Sequence, residues 1–433
     1  METICAISTP QGIGGIAVIR VSGKDAVAIV DSIFSGKKTL KEASGYSAHY
    51  GKISDIDDVI VTLYRAPHSF TGEDIAEISC HGSLYIQQAI LQQLLDSGCR
   101  MAEAGEFTQR AFLNGKMDLS EAEAVADLIA SESKAAHDLA LNHLRGGIKK
   151  EIGTLRDQLL TLTSLLELEL DFADHEELEF ADRTQLCGLS EEIHTKLHSL
   201  IASFKAGNAL KNGISVAIIG PTNAGKSSLL NALVGEDRAI VSEKAGTTRD
   251  TIEDVIDING TRFRFIDTAG IRHTEEEIES LGIERSRRAA QEADIIIAVR
   301  DGAVDNNTTE IEELKDKEVI YVANKSDKEN FRARKGEICL SAKEGQIEPL
   351  IEQLKTYCTQ ADGVMVSNVR HYEALRRAYD AIERVIQGIN NNLSGEFLAM
   401  DLHDCLNALG EITGEITNDE VLHNIFAHFC IGK

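Results

Sequence analysis

Ile214-Ser-Val-Ala-Ile-Ile219 runs into Gly220-Pro221-Thr222-Asn223-Ala224-Gly225-Lys226-Ser227-Ser228, and this stretch sets the fold of the chain's centre. The apolar run reads as a buried strand, and Ser227 to Val234 reads as a helix. A glycine-rich turn between strand and helix is a phosphate cradle. Glycine lets backbone N–H groups curl around phosphate oxygens, and the helix N-terminus adds a positive field. In such a P-loop Lys226 reaches the terminal phosphates and Ser227 ligates Mg²⁺. Working outward, Arg262–Ile266, Ile295–Val299, Val319–Val322 and Glu337–Leu340 read as further buried strands alternating with helical segments. That alternation predicts a doubly wound, mostly parallel sheet with helices on both faces, a Ras-like α/β domain over 212–364.

The loops after these strands indicate which base is bound. Asn324-Lys325-Ser326-Asp327 follows the fourth strand. An Asp carboxylate can accept from both the ring N–H and the amino group of guanine. Adenine offers no such donor pair and would leave the carboxylate unpaired. Ser341-Ala342-Lys343 closes the next strand and can hold the guanine carbonyl with backbone N–H groups. Asp267-Thr268-Ala269-Gly270 places Asp267 behind Mg²⁺ and Gly270 at the γ-phosphate, and Thr248 in Gly246-Thr247-Thr248-Arg249-Asp250 supplies a further Mg²⁺ ligand. Four motifs in this order predict GTP binding. One departure matters. A water-positioning Gln commonly follows Asp-x-x-Gly, and here the position is Ile271, which cannot polarise water.

The flanks have other periods. Residues 1–116 read as mixed α/β, with strands at Gly15–Val21 and Val59–Tyr64 and a helix at Leu84–Leu95. From Met117 the pattern is helical. Ser120 with Glu123 reads as a capping box opening one helix. Ile148, Ile152, Leu155, Leu159, Leu162 and Leu166 form a heptad seam that calls for a helical partner. Helix resumes after the α/β domain, so 117–211 and 365–433 are expected to be two parts of one helical domain with the α/β domain inserted between them.

Composition narrows the class. Across 433 residues, 44 Lys+Arg against 70 Asp+Glu leave a net charge of −26, so the chain will not coat nucleic acid by bulk charge. Trp is absent, and no base-stacking platform stands out. The eight Cys include no Cys-x-x-Cys pair, which argues against a zinc ribbon and for a reducing, cytoplasmic setting. The start, METICAISTPQG, has neither the basic stretch nor the apolar core of a signal peptide, and no run approaches the ~20 apolar residues of a membrane span. Gly12-Ile-Gly14-Gly15-Ile-Ala17 matches a dinucleotide fingerprint in letters, but it enters a strand where that motif needs a helix. His194 and His198, with Cys187 upstream, lack the further ligands a zinc site needs and read as a solvated helix.

The nucleotide motifs, the run AGTTRD (245–250), SFTGEDIAEISCHG (69–82), GEFTQRAFLNGKMDLSEAEAVADLI (105–129) and the ending Cys430-Ile431-Gly432-Lys433 together resemble the MnmE (TrmE) family of tRNA-modification GTPases over nearly the whole chain. The resemblance implies an N-terminal domain similar to folate-binding aminomethyltransferases that also dimerises the protein. It further implies a K⁺ ion that does an arginine finger's work at the joint of two G domains. The K⁺ ligands carry over to Asn223, Thr247 and the carbonyls of Ser242 and Lys244, and the water-orienting carboxylate to Glu279. The implied nucleotide set is Asn223, Ala224, Gly225, Lys226, Ser227 and Ser228; Ser242, Glu243, Lys244, Ala245, Gly246, Thr247 and Thr248; Asp267, Thr268, Ala269 and Gly270; Asn324, Lys325, Ser326 and Asp327; and Ser341, Ala342 and Lys343. Arg20, Glu77, Lys116 and Lys433 match contacts to a reduced folate (5-formyl- or methylene-tetrahydrofolate), and Cys430 is a candidate nucleophile or carbon carrier. The implied reaction adds an aminomethyl or carboxymethylaminomethyl group to C5 of the wobble uridine of tRNA, with a flavoprotein partner, MnmG, bringing FAD and NADH. A GTP-regulated ribosome-assembly switch without carbon chemistry is the alternative class. It should carry a basic RNA-binding appendage, and none is visible in the sequence.

Overall fold

The computed structural model describes residues 1–10, 12–171, 183–235, 254–266, 288–304, 317–358, 363–427 and 429–432. The chain divides into two compact units: Met1–Ile129 with His143–His194 and Arg377–Lys433, and Ala130–Asn142 with Thr195–Arg376.

The first unit is built on a seven-stranded sheet. Its strands are β1 (Ile4–Ile7), β2 (Gly14–Ser22), β3 (Phe34–Gly36), β4 (Ser47–Ile53), β5 (Asp57–Tyr64), β6 (Ile75–Gly82) and β7 (Arg100–Met101), in the order β3-β4-β5-β6-β2-β1-β7. The pairings are antiparallel except β1 with β7. Gly14 opens a strand, so the Gly12–Ala17 letters are no dinucleotide loop. The apolar face of the sheet packs on helices Ala26–Ile33 and Leu84–Asp96. The latter buries Gln87, Ile90 and Leu94, while Leu84 is exposed at its start.

The helical part of this unit keeps the heptad seam. All six seam residues are buried, and their helix, Gly147–Asp171, packs along helix Gly395–Thr413. The capping box lies two residues earlier than Ser120/Glu123. Helix Leu119–Ala130 is capped by Asp118, whose Oδ1 accepts from the Glu121 N–H at 2.8 Å, while Glu121 Oε2 accepts from the Asp118 N–H at 2.7 Å. This register puts Leu119 and Ala122 into the core with Leu422 and Phe426, and Ser120 donates to the cap at 2.8 Å. Asp118→Ala should therefore cost ~1 kcal/mol in denaturant unfolding. A loss below about 0.3 kcal/mol, well short of any measured cap, would return the cap to Ser120.

The second unit holds a six-stranded sheet of β8 (Ile214–Ile219), β9 (Asp254–Ile258), β10 (Thr261–Phe265), β11 (Ile295–Asp301), β12 (Glu318–Asn324) and β13 (Ile338–Cys339), ordered β13-β12-β11-β8-β10-β9. Every pairing is parallel except β9 with β10. The expected strands are present, with ends shifted by a few residues. β9 is an added antiparallel edge strand joined to β10 by Asn259-Gly260, both at positive φ (52° and 80°). Strand order reverses at β8, so the crevice beyond its C-terminal end is where open α/β sheets take ligands.

Candidate functional site

The loop after β8 lies at that crevice. Gly225 has φ +92°, and a Cβ there would stand 2.2 Å from Asn324 Nδ2, so only glycine lets the loop and Asn324 approach this closely. Lys226 opens helix Lys226–Gly235, and its Nζ donates to the carbonyls of Gly220 (2.8 Å) and Pro221 (2.9 Å). Burial holds its ammonium below the ordinary lysine range. A half-buried cation on a glycine loop at a helix N-terminus is the donor set a polyphosphate needs.

Asn324 is a clamp. Buried to 2% exposure, it donates from Nδ2 to the Ala224 carbonyl at 2.9 Å and accepts at Oδ1 from Lys325 N–H (2.8 Å) and Ala342 N–H (3.0 Å). One side chain thus ties its own loop to the phosphate loop, 100 residues earlier, and to the loop at Ala342. Lys325, at φ +68°, reaches back so that Nζ donates to the Asn223 carbonyl at 2.5 Å. Asn223 itself is exposed, with φ +63°.

Asp327 is exposed. The buried Ser341 hydroxyl donates to its Oδ1 at 2.6 Å, and this bond chiefly holds the carboxyl below its ordinary range. The Ser326 N–H donates to the Leu340 carbonyl at 3.1 Å. The result is an oriented, ionised acceptor facing solvent beside the Ala342–Lys343 backbone. A cavity of about 520 Å³ opens between the helix after the phosphate loop and the turn after Ser341, lined by Ser228, Asn231, Ala232, Ala342 and Lys343 among others. Chemically the site offers a phosphate cradle at one end and an acceptor for a paired ring N–H and amino group at the other.

Sequence reasoning missed two groups here. Asp301 ends β11 and accepts from Lys325 Nζ at 2.7 Å. Burial opposes its charge, but the hydrogen bonds from Lys325 and the Ala303 N–H outweigh it and hold the carboxyl low. Arg300 and Glu337 form a buried two-point pair (2.6 and 2.5 Å), and Arg300 also donates to the Arg332 carbonyl. That pair fastens the segment following Asp327. An acid at the end of an apolar parallel strand was the available signal for Asp301. The expected residues Ser242, Glu243, Lys244, Ala245, Gly246, Thr247, Thr248, Asp267, Thr268, Ala269, Gly270, Glu279 and Lys433 lie outside the described residues.

A second group of expected residues sits on the seven-stranded sheet. Arg20 and Glu77 are register partners across β2 and β6, and they pair with each other at 2.8–2.9 Å. The Arg20 guanidinium also lies over the rings of Phe70 (5.5 Å) and Phe107 (5.7 Å). Lys116 is exposed, and its Nζ donates to the Pro67 carbonyl at 3.0 Å. The chain's last residues come to the same sheet. Ala104 and Ile431 form a β-bridge, the Ser8 hydroxyl donates to the Gly432 carbonyl at 3.2 Å, and a Cβ on Gly432 (φ +97°) would meet the Ile7 carbonyl at 2.5 Å. Cys430, exposed, accepts at its carbonyl from the Gly105 N–H. β1 ends there, and its Ala6 is the register partner of Arg20. So β1 has Arg20 opposite it on β2, and Gly432, two residues from Cys430, against its end. The decoy His194 stacks on Tyr379 at 4.3 Å.

Family models for the GTP-binding protein TrmE N-terminus and for the MnmE helical domain match residues 3–116 and 119–430. Proteins called tRNA modification GTPase MnmE from Parabacteroides distasonis and Porphyromonas gingivalis are 54% and 50% identical to the chain. Each alignment spans 100% of this chain, and 100% and 98% respectively of the relative. A third, from Bacteroides fragilis, is 51% identical over 100% of this chain and 99% of its own length. With full-length identity at this level and a family model spanning most of the chain, the protein belongs to the MnmE family of tRNA modification GTPases.

Proposed function

We propose that this chain is a K⁺-stimulated GTP hydrolase of tRNA modification, working as a homodimer with a flavoprotein partner and a reduced folate to add an aminomethyl or carboxymethylaminomethyl group at C5 of the wobble uridine. Its role as a GTPase of tRNA modification follows from the family. The Asn324 clamp is the observation that carries the nucleotide half, because it fixes the phosphate loop and the base-reading loops as one rigid receptor.

In this reading 212–364 is the G domain. Lys226 and the loop N–H groups hold the β- and γ-phosphates, Ser227 and Thr248 ligate Mg²⁺ with Asp267 behind it, and Asp327 holds the guanine edge. Mg²⁺ and K⁺, when bound, neutralise charge developing on the phosphates. Asn223 suits a K⁺ ligand because its amide is exposed while its carbonyl is already engaged by Lys325. Thr247 and the carbonyls of Ser242 and Lys244 complete the set, and Glu279 orients the water that Ile271 cannot. GTP turnover should run at least tenfold faster in K⁺ than in Na⁺ at equal ionic strength, a modest share of what an arginine finger supplies. Equal rates would remove Asn223 from this role.

The folate half rests on the terminal segment docked at β1. Arg20, Glu77, Lys116 and Lys433 would meet the pterin edge and the glutamyl tail, with Cys430 at the rim. The Arg20–Glu77 pair must open or be shared when the ligand enters. An assembly switch gives no reason for a C-terminal segment whose Gly432 carbonyl accepts from Ser8 just past β1. Equilibrium binding of 5-formyltetrahydrofolate, with and without Lys433, tests it. No binding by the intact chain leaves only the GTPase.

A further inference from the structure

We propose that Asp301 is a positioning residue for guanine-nucleotide binding, holding the Lys325 ammonium so that this lysine ties the base-reading loop to the phosphate loop at Asn223. The proposal rests on the GTP reading above and deepens it.

Asp301 and Asn324 are register partners at the ends of β11 and β12, so the carboxylate stands beside the loop that begins at Lys325. Its two oxygens have separate duties. Oδ1 accepts from the Ala303 N–H at 3.0 Å, which sets the plane of the carboxylate. Oδ2 accepts from Lys325 Nζ at 2.7 Å. The same Nζ donates to the Asn223 carbonyl at 2.5 Å, so the ammonium is a node between β11, the base-reading loop and the phosphate loop. A lysine side chain is long and rotamer-rich, and one neutral carbonyl is a weak restraint on it. A carboxylate adds a charge-assisted bond in a fixed direction. The pair is sheltered, with 24% and 14% side-chain exposure for Lys325 and Asp301, so solvent screens it less than a surface bridge. Lys328 stands at 3.5 Å from the same oxygen and is nearly half exposed, which makes it the looser partner. Asn223 sits at φ +63°, a conformation that its neighbours must sustain, and the Lys325 bond to its carbonyl is one such restraint.

The test is a double-mutant cycle on the full chain, reading release of a fluorescent GDP analogue by stopped flow. Asp301→Asn and Lys325→Met should each speed release about tenfold, the scale of one charge-assisted hydrogen bond. The double variant should release no faster than Lys325→Met alone, because both changes remove one node. Lys328→Met should stay within about twofold of the unaltered chain, since exposed pairs contribute little. Multiplying effects in the double variant, or an unchanged rate for Asp301→Asn, would overturn the proposal. So would a large fall in the nucleotide-free melting temperature of Asp301→Asn, which would make the residue merely structural. If the unaltered chain binds no GDP analogue, it is the underlying GTP reading that fails, and the two failures stay distinct.

Discussion

Asp327→Asn should cut GDP affinity on the order of 10³-fold and raise affinity for xanthosine diphosphate. The reason is the number and kind of hydrogen-bonding groups at one exposed carboxylate. Ser341 holds Asp327 Oδ1 at 2.6 Å and fixes the side chain's direction. Guanine presents two donors on adjacent atoms, and an ionised carboxylate accepts both. Asparagine replaces one acceptor with an NH₂ donor, which then faces the guanine amino group, donor against donor. The loss combines a charge-assisted pair with an unpaired desolvated donor. Xanthine carries a carbonyl where guanine carries its amino group, so the new NH₂ finds an acceptor there. Competition titration with the two diphosphates reads the switch. A variant that keeps GDP within about threefold, far inside the discrimination such a site provides, would show that Asp327 does not read the base.

The sequence made this site legible because its parts are local. A glycine loop after an apolar strand, and an Asp three residues past an Asn at the end of another, are patterns fixed by backbone chemistry within a few residues. β8 and β11 were readable for the same reason, since strands buried on both faces are continuous apolar runs, whereas β12 carries the run Val-Ile-Tyr-Val although Tyr321 faces solvent. β9 was not read. Its five residues, DVIDI, mix polar and apolar, as an edge strand does. The signal that could have found it was Asn259-Gly260, a two-residue turn whose positive φ angles suit a tight hairpin. The helix start near 118 failed for another cause. Asp118/Glu121 and Ser120/Glu123 both satisfy the capping pattern, and only tertiary burial of Leu119 selects between them. Asp301 carries only a weak local signal, an acid closing an apolar strand. Its role comes from a register partner on the next strand, and register across a parallel pair cannot be read from one strand's letters.

Arg110 is the extreme of that non-local class, and replacing it should be among the most destabilising single changes in the first unit. In GEFTQRAF it looks like a helix-surface arginine, yet it is 3% exposed. Its guanidinium donates to both Glu73 oxygens (3.2 and 3.1 Å), to Glu106 Oε1 (3.3 and 2.9 Å) and to the Glu2 carbonyl (2.8 Å). Arg100 covers the far side of Glu106, and the Ser22 hydroxyl donates to Glu73. Arg110→Met keeps most of the volume but leaves two sheltered carboxylates short of a cation, which costs ~3–5 kcal/mol for a broken buried pair. In a unit of this size that lowers its melting transition by on the order of 10 °C.

The pH dependence gives the mechanism its own signature. Burial alone would raise the Glu106 pKa, but hydrogen bonds from Arg100, the Glu103 N–H and Arg110 outweigh it and leave it lowered. A carboxyl lowered on folding contributes stability that is present above its unfolded value of ~4.3 and is lost as pH falls through the folded value. In Arg110→Met part of that lowering disappears, so the gap in melting temperature from the unaltered chain should hold from neutral pH down to about 4.3 and narrow below it, as pH falls through the folded value. A gap that stays constant as pH falls below about 4 would assign the loss to packing of the arginine stem instead of to its charge.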